Sequence, residues 1–359
     1  MIKRILIQLS ILYVAYVALM GAYTLDVDRV LSREDIVVDL VTHYGRVEDP
    51  YCVPYCYNSI LKINYYSPMV HWIGALFAYG FGVGPKWALN LTIPLISVVF
   101  VAVGVYDLTR VMYGPRQAYA AAMLYSYAYV APLMFIFNTT HPQAFALAIT
   151  LELVAEGVKI LKAEHMSTHN FLVVVFYTLL LSLTHTTGFV FILPVVFLLF
   201  VFARYYEFAG FTAWMTVCFF IIKNPFWGRA KSYFEHDVLH KMDYKLIGLL
   251  TTPKYLLLWL NPVPFILSVK QIWKTPIFSH PRYYFPLLVY ALTILGCLHG
   301  SPNIRGLLYV GTFSLVYASD AVVRAADDCR LWLKIYVIVS AVTTGTLVLG
   351  NVLHAYGYT

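Results

Sequence analysis

Residues 117–151 read QAYAAAMLYSYAYVAPLMFIFNTTHPQAFALAITL and hold no Asp, Glu, Lys or Arg. A helix that crosses a bilayer needs about 20 apolar residues. The stretch is too long for one such helix, and Asn138-Thr139-Thr140-His141-Pro142 interrupts it. It therefore reads as two helices joined by a turn. Residues from His165 to Ala203 repeat the pattern. They lack the same four residue types and break at Thr184-His185-Thr186-Thr187-Gly188. Two consecutive helical hairpins of this kind point to an all-α, polytopic membrane protein.

The whole chain agrees with that reading. Of its 359 residues, 60% are hydrophobic and only 12% are charged. Soluble domains carry about 25% charge, so this chain has too little to cover a water-facing surface. Its mean hydropathy of +0.71 points the same way. The 17% aromatic content excludes a disordered chain, and five Cys do not build a disulfide scaffold. The net charge of +7 lies mostly in short turns between apolar runs, without a basic stripe interleaved with stacking aromatics. Nucleic acid is therefore not expected as a partner.

Further spans are expected at Ile5–Tyr23, Trp87–Tyr106, Phe208–Ile222, Tyr255–Val269, Tyr283–His299, Gly306–Val323 and Ile335–Leu353. With the two hairpins the total is about eleven, in a single transmembrane domain over residues 1–359. Ile5–Tyr23 follows Lys3–Arg4 and reads as a retained signal anchor. Alternate turns carry Arg110 and Arg116, Lys159 and Lys162, Arg204, Lys270 with Lys274 and Arg282, then Arg324, Arg330 and Lys334. The intervening turns at 138–142 and 184–188 carry no Lys or Arg. By the positive-inside rule the basic turns and the N-terminus are cytoplasmic, and the large loops lie outside. This requires Tyr66–Phe81, which is short and contains Pro68, His71 and several Gly, to be an interfacial helix rather than a span.

Two loops are large: 24–86, with its interfacial helices, and 224–247. The stretch from Thr24 to Tyr66 holds seven acids, Asp26, Asp28, Glu34, Asp35, Asp39, Glu48 and Asp49, against four bases. Its net charge is −3 within a protein of +7. Ser32–Tyr44 has the spacing of a short helix on which Asp35, Asp39 and His43 lie four residues apart, along one face. Such a face can take a proton from a hydroxyl or hold a divalent cation. Ser32-Arg33-Glu34-Asp35 equally fits a capping box, in which Asp35 only reaches back to the helix start. Cys52 and Cys56 lie in the same loop, where an oxidising exterior permits a local disulfide.

The order of features resembles the GT-C superfamily of membrane glycosyltransferases. A first span leads to an acidic outer loop with Asp35 near its start. An aromatic–Pro helix follows, Tyr65-Tyr66-Ser67-Pro68-Met69-Val70-His71-Trp72, and ends in Gly80–Gly84. The next span closes on the basic turn Arg110-Val111-Met112-Tyr113-Gly114-Pro115-Arg116. The superfamily includes oligosaccharyltransferases, protein O-mannosyltransferases and glycolipid mannosyltransferases. The likeness is clear over roughly residues 1–205 and weaker at Arg305-Gly306-Leu307-Leu308-Tyr309. The Trp-Trp-Asp type of motif found in oligosaccharyltransferases is absent. The turn Asn138-Thr139-Thr140-His141-Pro142-Gln143 carries no acid, which departs from the oligosaccharyltransferase pattern.

The resemblance implies transfer of a sugar from a polyprenyl-phosphate donor, such as a dolichyl phosphate, to an acceptor hydroxyl on the outer face, with inversion. It assigns the essential first-loop acid to Asp35, with Asp39 next. Arg305, His141, His43, His185 and His299 are the groups that could meet the donor phosphate. Guanidinium suits phosphate oxygens best, although an Arg at that position can also simply snorkel. His236 and His240 stand one turn apart but lack a third ligand, and they fit a solvated helix better than a metal site. Glu152 and Glu156, close to Lys159 and Lys162, read as structural. Two other functions fit the composition. A transporter or lipid flippase would carry ionisable groups at mid-membrane and internal repeats, whereas here the acids cluster in a loop. A non-catalytic subunit of a membrane complex needs neither feature.

Overall fold

The computed structural model describes residues 69–82, 85–127, 142–184, 186–222, 262–274, 279–299 and 303–328, together with the single positions 331, 335 and 342. These contain ten helices and no strand. They are α1 (Met69–Phe81), α2 (Pro85–Met112), α3 (Pro115–Tyr127), α4 (Pro142–Ala163) and α5 (Thr168–Thr184), then α6 (Thr186–Phe202), α7 (Tyr206–Ile222), α8 (Pro262–Lys274), α9 (Pro281–His299) and α10 (Asn303–Asp328). The all-α class is as expected from the sequence.

Local chemistry explains the boundaries. Five helices begin on proline: Pro85, Pro115, Pro142, Pro262 and Pro281. Proline suits the first helical position because its missing N–H has no partner there and its φ is already helical. Before α5, Ser167 Oγ accepts from the Asn170 backbone N–H at 3.2 Å, as an N-cap does. Between α2 and α3 the chain turns at Gly114 with φ +114°, a conformation that L side chains rarely adopt.

α4 is central, packed on α2, α5, α6 and α9, while α10 lies against α3, α8 and α9. The core is built from small residues as well as large ones. Ala102, Ala121, Ala122, Ala146, Ala148 and Ala155 are all buried, which lets helix backbones approach closely. Buried hydroxyls bond back along their own helices, as Thr109 does to the Val105 carbonyl at 2.6 Å and Thr312 to the Leu308 carbonyl at 2.8 Å. These two hydroxyls then need no partner from a neighbouring helix. Tyr290 is an exception. Its buried hydroxyl lies 2.6 Å from Ser314 Oγ, linking α9 to α10.

The expected count of about eleven spans is not what the described residues show. Among them no helix is long and apolar enough to cross a membrane. The reason is partly length, since α1, α3 and α8 have 13 residues each and α5, α6 and α7 have 17. At about 1.5 Å per residue, 17 residues rise roughly 26 Å, short of the ~30 Å hydrocarbon core. The longer α4 and α10 are interrupted by Glu152, Glu156 and Lys159, and by Asp320 and Arg324. Of the expected span Tyr255–Val269, the part from Pro262 onward lies in α8 (Pro262–Lys274), and the residues before it lie outside the described ones. Ile5–Tyr23, Ile335–Leu353 and the Ser32–Tyr44 helix lie outside the described residues or are not seen whole.

Candidate functional site

Contacts between helix ends give the bundle two unlike poles. Lys162 Nζ at the end of α4 donates to the Val111 carbonyl at the end of α2 (2.7 Å). Arg116 at the start of α3 pairs with Asp327 at the end of α10 (2.5 Å). His280 before α9 faces Glu164 after α4 (3.6 Å). The Met166 backbone N–H before α5 donates to the Tyr205 hydroxyl before α7 (2.7 Å). One pole thus gathers Arg110, Arg116, Lys159, Lys162, Arg204, Lys270, Lys274, Arg282 and Arg324. The alternation of basic turns read from the sequence is realised as one basic pole.

The heart of that pole is Asp320 on α10. It accepts from Gln271 Nε2 at 2.7 Å, from Gln117 Nε2 at 3.2 Å and from Arg324 one turn later. Arg324 also reaches Gln271 Oε1 at 3.1 Å. Three helices, α3, α8 and α10, are tied through one carboxylate. Nearby, burial pushes the Tyr113 hydroxyl pKa up, and the Asp320 and Tyr283 charges add to it while Arg324 opposes. The sequence reading missed Asp320. The available signal was an acid and a base four residues apart, Asp320 and Arg324, inside an otherwise apolar run. Glu156 is the second polar anchor. It is buried, accepts from Lys159 Nζ at 2.9 Å and from Asn170 Nδ2 at 2.5 Å, and fastens α4 to α5. The structural role read for it from the sequence holds.

Of the candidate donor-phosphate groups, the described residues include His299 and Arg305, both at the opposite pole. α4, α6 and α10 start there, and α5 and α9 end there, because each has its other end at the basic pole. His299 is the last residue of α9, and Arg305 is the third residue of α10. The backbone therefore brings these two to the same end. His141 adjoins the start of α4 and His185 joins α5 to α6 in sequence, but both lie outside the described residues. Asp35, Asp39, His43, Cys52, Cys56, His236 and His240 also lie outside them. α1 is a 13-residue helix, matching the interfacial reading of Tyr66–Phe81 in length. The Thr184 hydroxyl donates to Met69 Sδ at 3.2 Å, which sets the first residue of α1 beside the end of α5, at this second pole. Among the described residues no group of three or more His, Cys, Asp and Glu side chains could hold a metal ion. The face that could hold a divalent cation, Asp35, Asp39 and His43, lies outside the described residues.

Membrane glycosyltransferases are the known proteins to which this helical bundle is similar. The family model for dolichyl-phosphate-mannose-protein mannosyltransferase matches residues 66–227, from the start of α1 to just beyond α7. Among solved structures, the Archaeoglobus fulgidus oligosaccharyltransferase in complex with Zn and sulfate aligns with a TM-score of 0.52 at 16% identity, over 79% of this chain and 44% of its own. The archaeal oligosaccharyltransferase AglB from the same organism, in complex with an inhibitory peptide and a dolichol-phosphate, aligns at 0.50 and 14% identity, over 81% of this chain and 46% of its own. The chain spans less than half the length of these neighbours. No curated protein matches it. The family match covers less than half of this chain, and the two solved structures share its helical fold.

Proposed function

We propose that this protein is an integral-membrane glycosyltransferase that moves a sugar from a polyprenyl-phosphate donor to an acceptor hydroxyl. The observation that carries the reading is the family match over residues 66–227. It covers α1 to α7, which include the helix ends at the pole opposite the basic turns. The dolichol-phosphate bound to the archaeal neighbour supports the same class of donor.

Membrane embedding is supported by how side chains distribute. Large apolar groups point outward: Leu172, Phe176 and Leu179 on α5 are 58%, 56% and 59% exposed, and Trp214 on α7 is 63% exposed. Inside, small residues such as Ala102, Ala121 and Ala155 pack beside large ones. That arrangement suits lipid as solvent, where close helix packing replaces the hydrophobic drive. The basic pole then faces the cytoplasm and the second pole the outer side.

In the proposed reaction the Asp35 carboxylate takes the proton of the acceptor hydroxyl. The freed oxygen attacks the anomeric carbon from the face opposite the lipid phosphate. As the new C–O bond forms, the bond to the phosphate oxygen breaks and its electron pair stays on the phosphate. The sugar therefore inverts. Arg305, with His299, His141, His185 and His43, would neutralise the charge that grows on the phosphate. Asp39 is the alternative base. A divalent cation near the first-loop acids would have the same effect on that charge.

The test is sugar transfer by purified full-length protein from polyprenyl-phosphate donors carrying labelled sugars, with wild type beside Asp35→Asn. Loss of turnover in a variant that stays folded supports Asp35 as the base. Retained turnover moves that role to Asp39, and a retained anomeric configuration in the product overturns the inverting mechanism. A protein that moves labelled lipid across vesicles without releasing its sugar would instead be a flippase.

A further inference from the structure

We propose that α8 seats the basic pole on anionic phospholipid headgroups, with Trp273 marking the boundary between hydrocarbon and water. The proposal rests on the membrane-embedded reading above and adds a specific lipid class and a specific element.

α8 has two faces of opposite character. Inward, Pro264, Ser268 and Gln271 are buried. Ser268 Oγ donates to the Phe265 carbonyl and lies 3.4 Å from the Tyr290 hydroxyl, and Gln271 holds Asp320. The outward face is fixed by those contacts, since a helix pinned by its polar side must turn the other side away. Val263, Ile266, Val269 and Trp273 form that outer ridge and are 39%, 64%, 50% and 90% exposed. A nearly fully exposed tryptophan is costly in water and ordinary at a bilayer interface, where the ring rests among headgroups and its N–H finds a partner.

Charge at the end of the ridge selects the lipid. Lys270 and Lys274 flank Trp273, and both are exposed. Neither has an ion-pair partner among the described residues. Four acids of this pole already face other cations: Asp320 with Arg324, Asp327 with Arg116, Glu156 with Lys159, and Glu164 with His280. The two exposed lysines can meet a phosphate from outside the protein. Distance fits as well. From Val263 to Trp273 the helix rises about 15 Å, half of the ~30 Å hydrocarbon core. An apolar ridge one leaflet deep that ends in Trp and two Lys is the profile of a helix seated in one leaflet.

The test uses full-length protein reconstituted in vesicles of equal parts phosphatidylglycerol and phosphatidylcholine. Wild type is compared with Trp273→Phe and with Lys270→Gln/Lys274→Gln. Tryptophan quenching is read with lipids brominated near the headgroup and near the chain end. The fluorescence lost in Trp273→Phe should be the component most quenched by headgroup-proximal bromine. Bound phosphatidylglycerol relative to phosphatidylcholine, read by native mass spectrometry, should fall about fivefold for each lysine removed. A Trp273 component insensitive to bromine, while the other tryptophans are quenched, overturns the proposal and leaves the membrane reading intact. So does unchanged lipid preference in the double variant. If no tryptophan is quenched at any depth, both fail. Trp273→Phe and the lysine pair lie on the exposed face, so their folding is checked simply by an unchanged melting temperature.

Discussion

Gly104 of α2 faces Leu151 of α4 so closely that a Cβ at Gly104 would lie 2.8 Å from the Leu151 Cβ and 3.3 Å from the Ala148 carbonyl oxygen. One of those atoms is main chain and the other is fixed to it, so neither can step aside. Gly104→Ala should therefore force α2 and α4 apart and destabilise by about 1–3 kcal/mol, as overpacking does. Gly210 on α7 meets nothing within 4 Å. Gly210→Ala should hold or raise stability, by up to about 1 kcal/mol, since alanine favours a helix. Thermal unfolding in detergent, followed by intrinsic tryptophan fluorescence, reads both. Equal melting temperatures for the two variants would mean that α2 and α4 are not in contact at Gly104.

Asp320 should outweigh the cation beside it. Its side chain is 16% exposed and accepts from Gln117, Gln271 and Arg324, whereas the Arg324 side chain is 57% exposed. Asp320→Ala strands two amide donors in the interface of α3, α8 and α10, at a cost of about 2–4 kcal/mol. Arg324→Ala removes an exposed partner that water replaces, at about 0–1 kcal/mol. Chemical denaturation of the two variants checks the order. A larger loss from Arg324→Ala would place the stability of this pole in its exposed ion pairs.

The helices were legible because their ends carry strong local signals. The breaks at 138–142 and at 184–188 fall where α4 begins and where α5 gives way to α6. Tyr283–His299 and Gly306–Val323 lie within α9 and α10. The clustering of the basic turns was legible too, because Arg110, Arg116, Lys162 and Arg324 do collect at one pole. Asp320 was not, since its partners Gln117 and Gln271 are about two hundred and about fifty positions away, and hydrophobic periodicity carries no information across such separations. Of the candidate site, the sequence supplied the residues and the structure supplied a common pole for His299 and Arg305. Asp35, Asp39 and His43 stand on spacing and resemblance.

Glu156 should prove dispensable for chemistry. It sits at the basic pole, between Lys159 and Asn170, at the other end of α4 from the turn that contains His141. Glu156→Gln keeps an oxygen for Asn170 and loses only the charge pairing with a half-exposed Lys159, so stability should fall by about 1 kcal/mol or less. Glu156→Leu leaves Asn170 without its acceptor and should cost about 1–3 kcal/mol. Sugar transfer per folded molecule should be unchanged in both. A loss of turnover in Glu156→Gln at unchanged stability would point to proton or ion movement through this pole, and so toward the transporter reading.

Arg305 offers a sharper test of where the donor binds. It is the third residue of α10, a 26-residue helix whose other end holds Asp320 and Arg324 at the basic pole. A helix N-terminus favours an anion, and Arg is the residue type whose donors best match phosphate oxygens. If the lipid phosphate lies there, Arg305→Ala should lower kcat by about 100-fold or more, because the charge that develops on the phosphate loses its partner. Arg305→Lys keeps the charge and loses the planar fork that grips two oxygens, so it should recover part of that loss while the KM for the donor stays raised. The acceptor KM should not move in either variant. Steady-state transfer with donor and acceptor varied independently separates these outcomes. An acceptor KM that shifts while the donor KM does not would move Arg305 to the acceptor side of the site and leave the phosphate to the histidines.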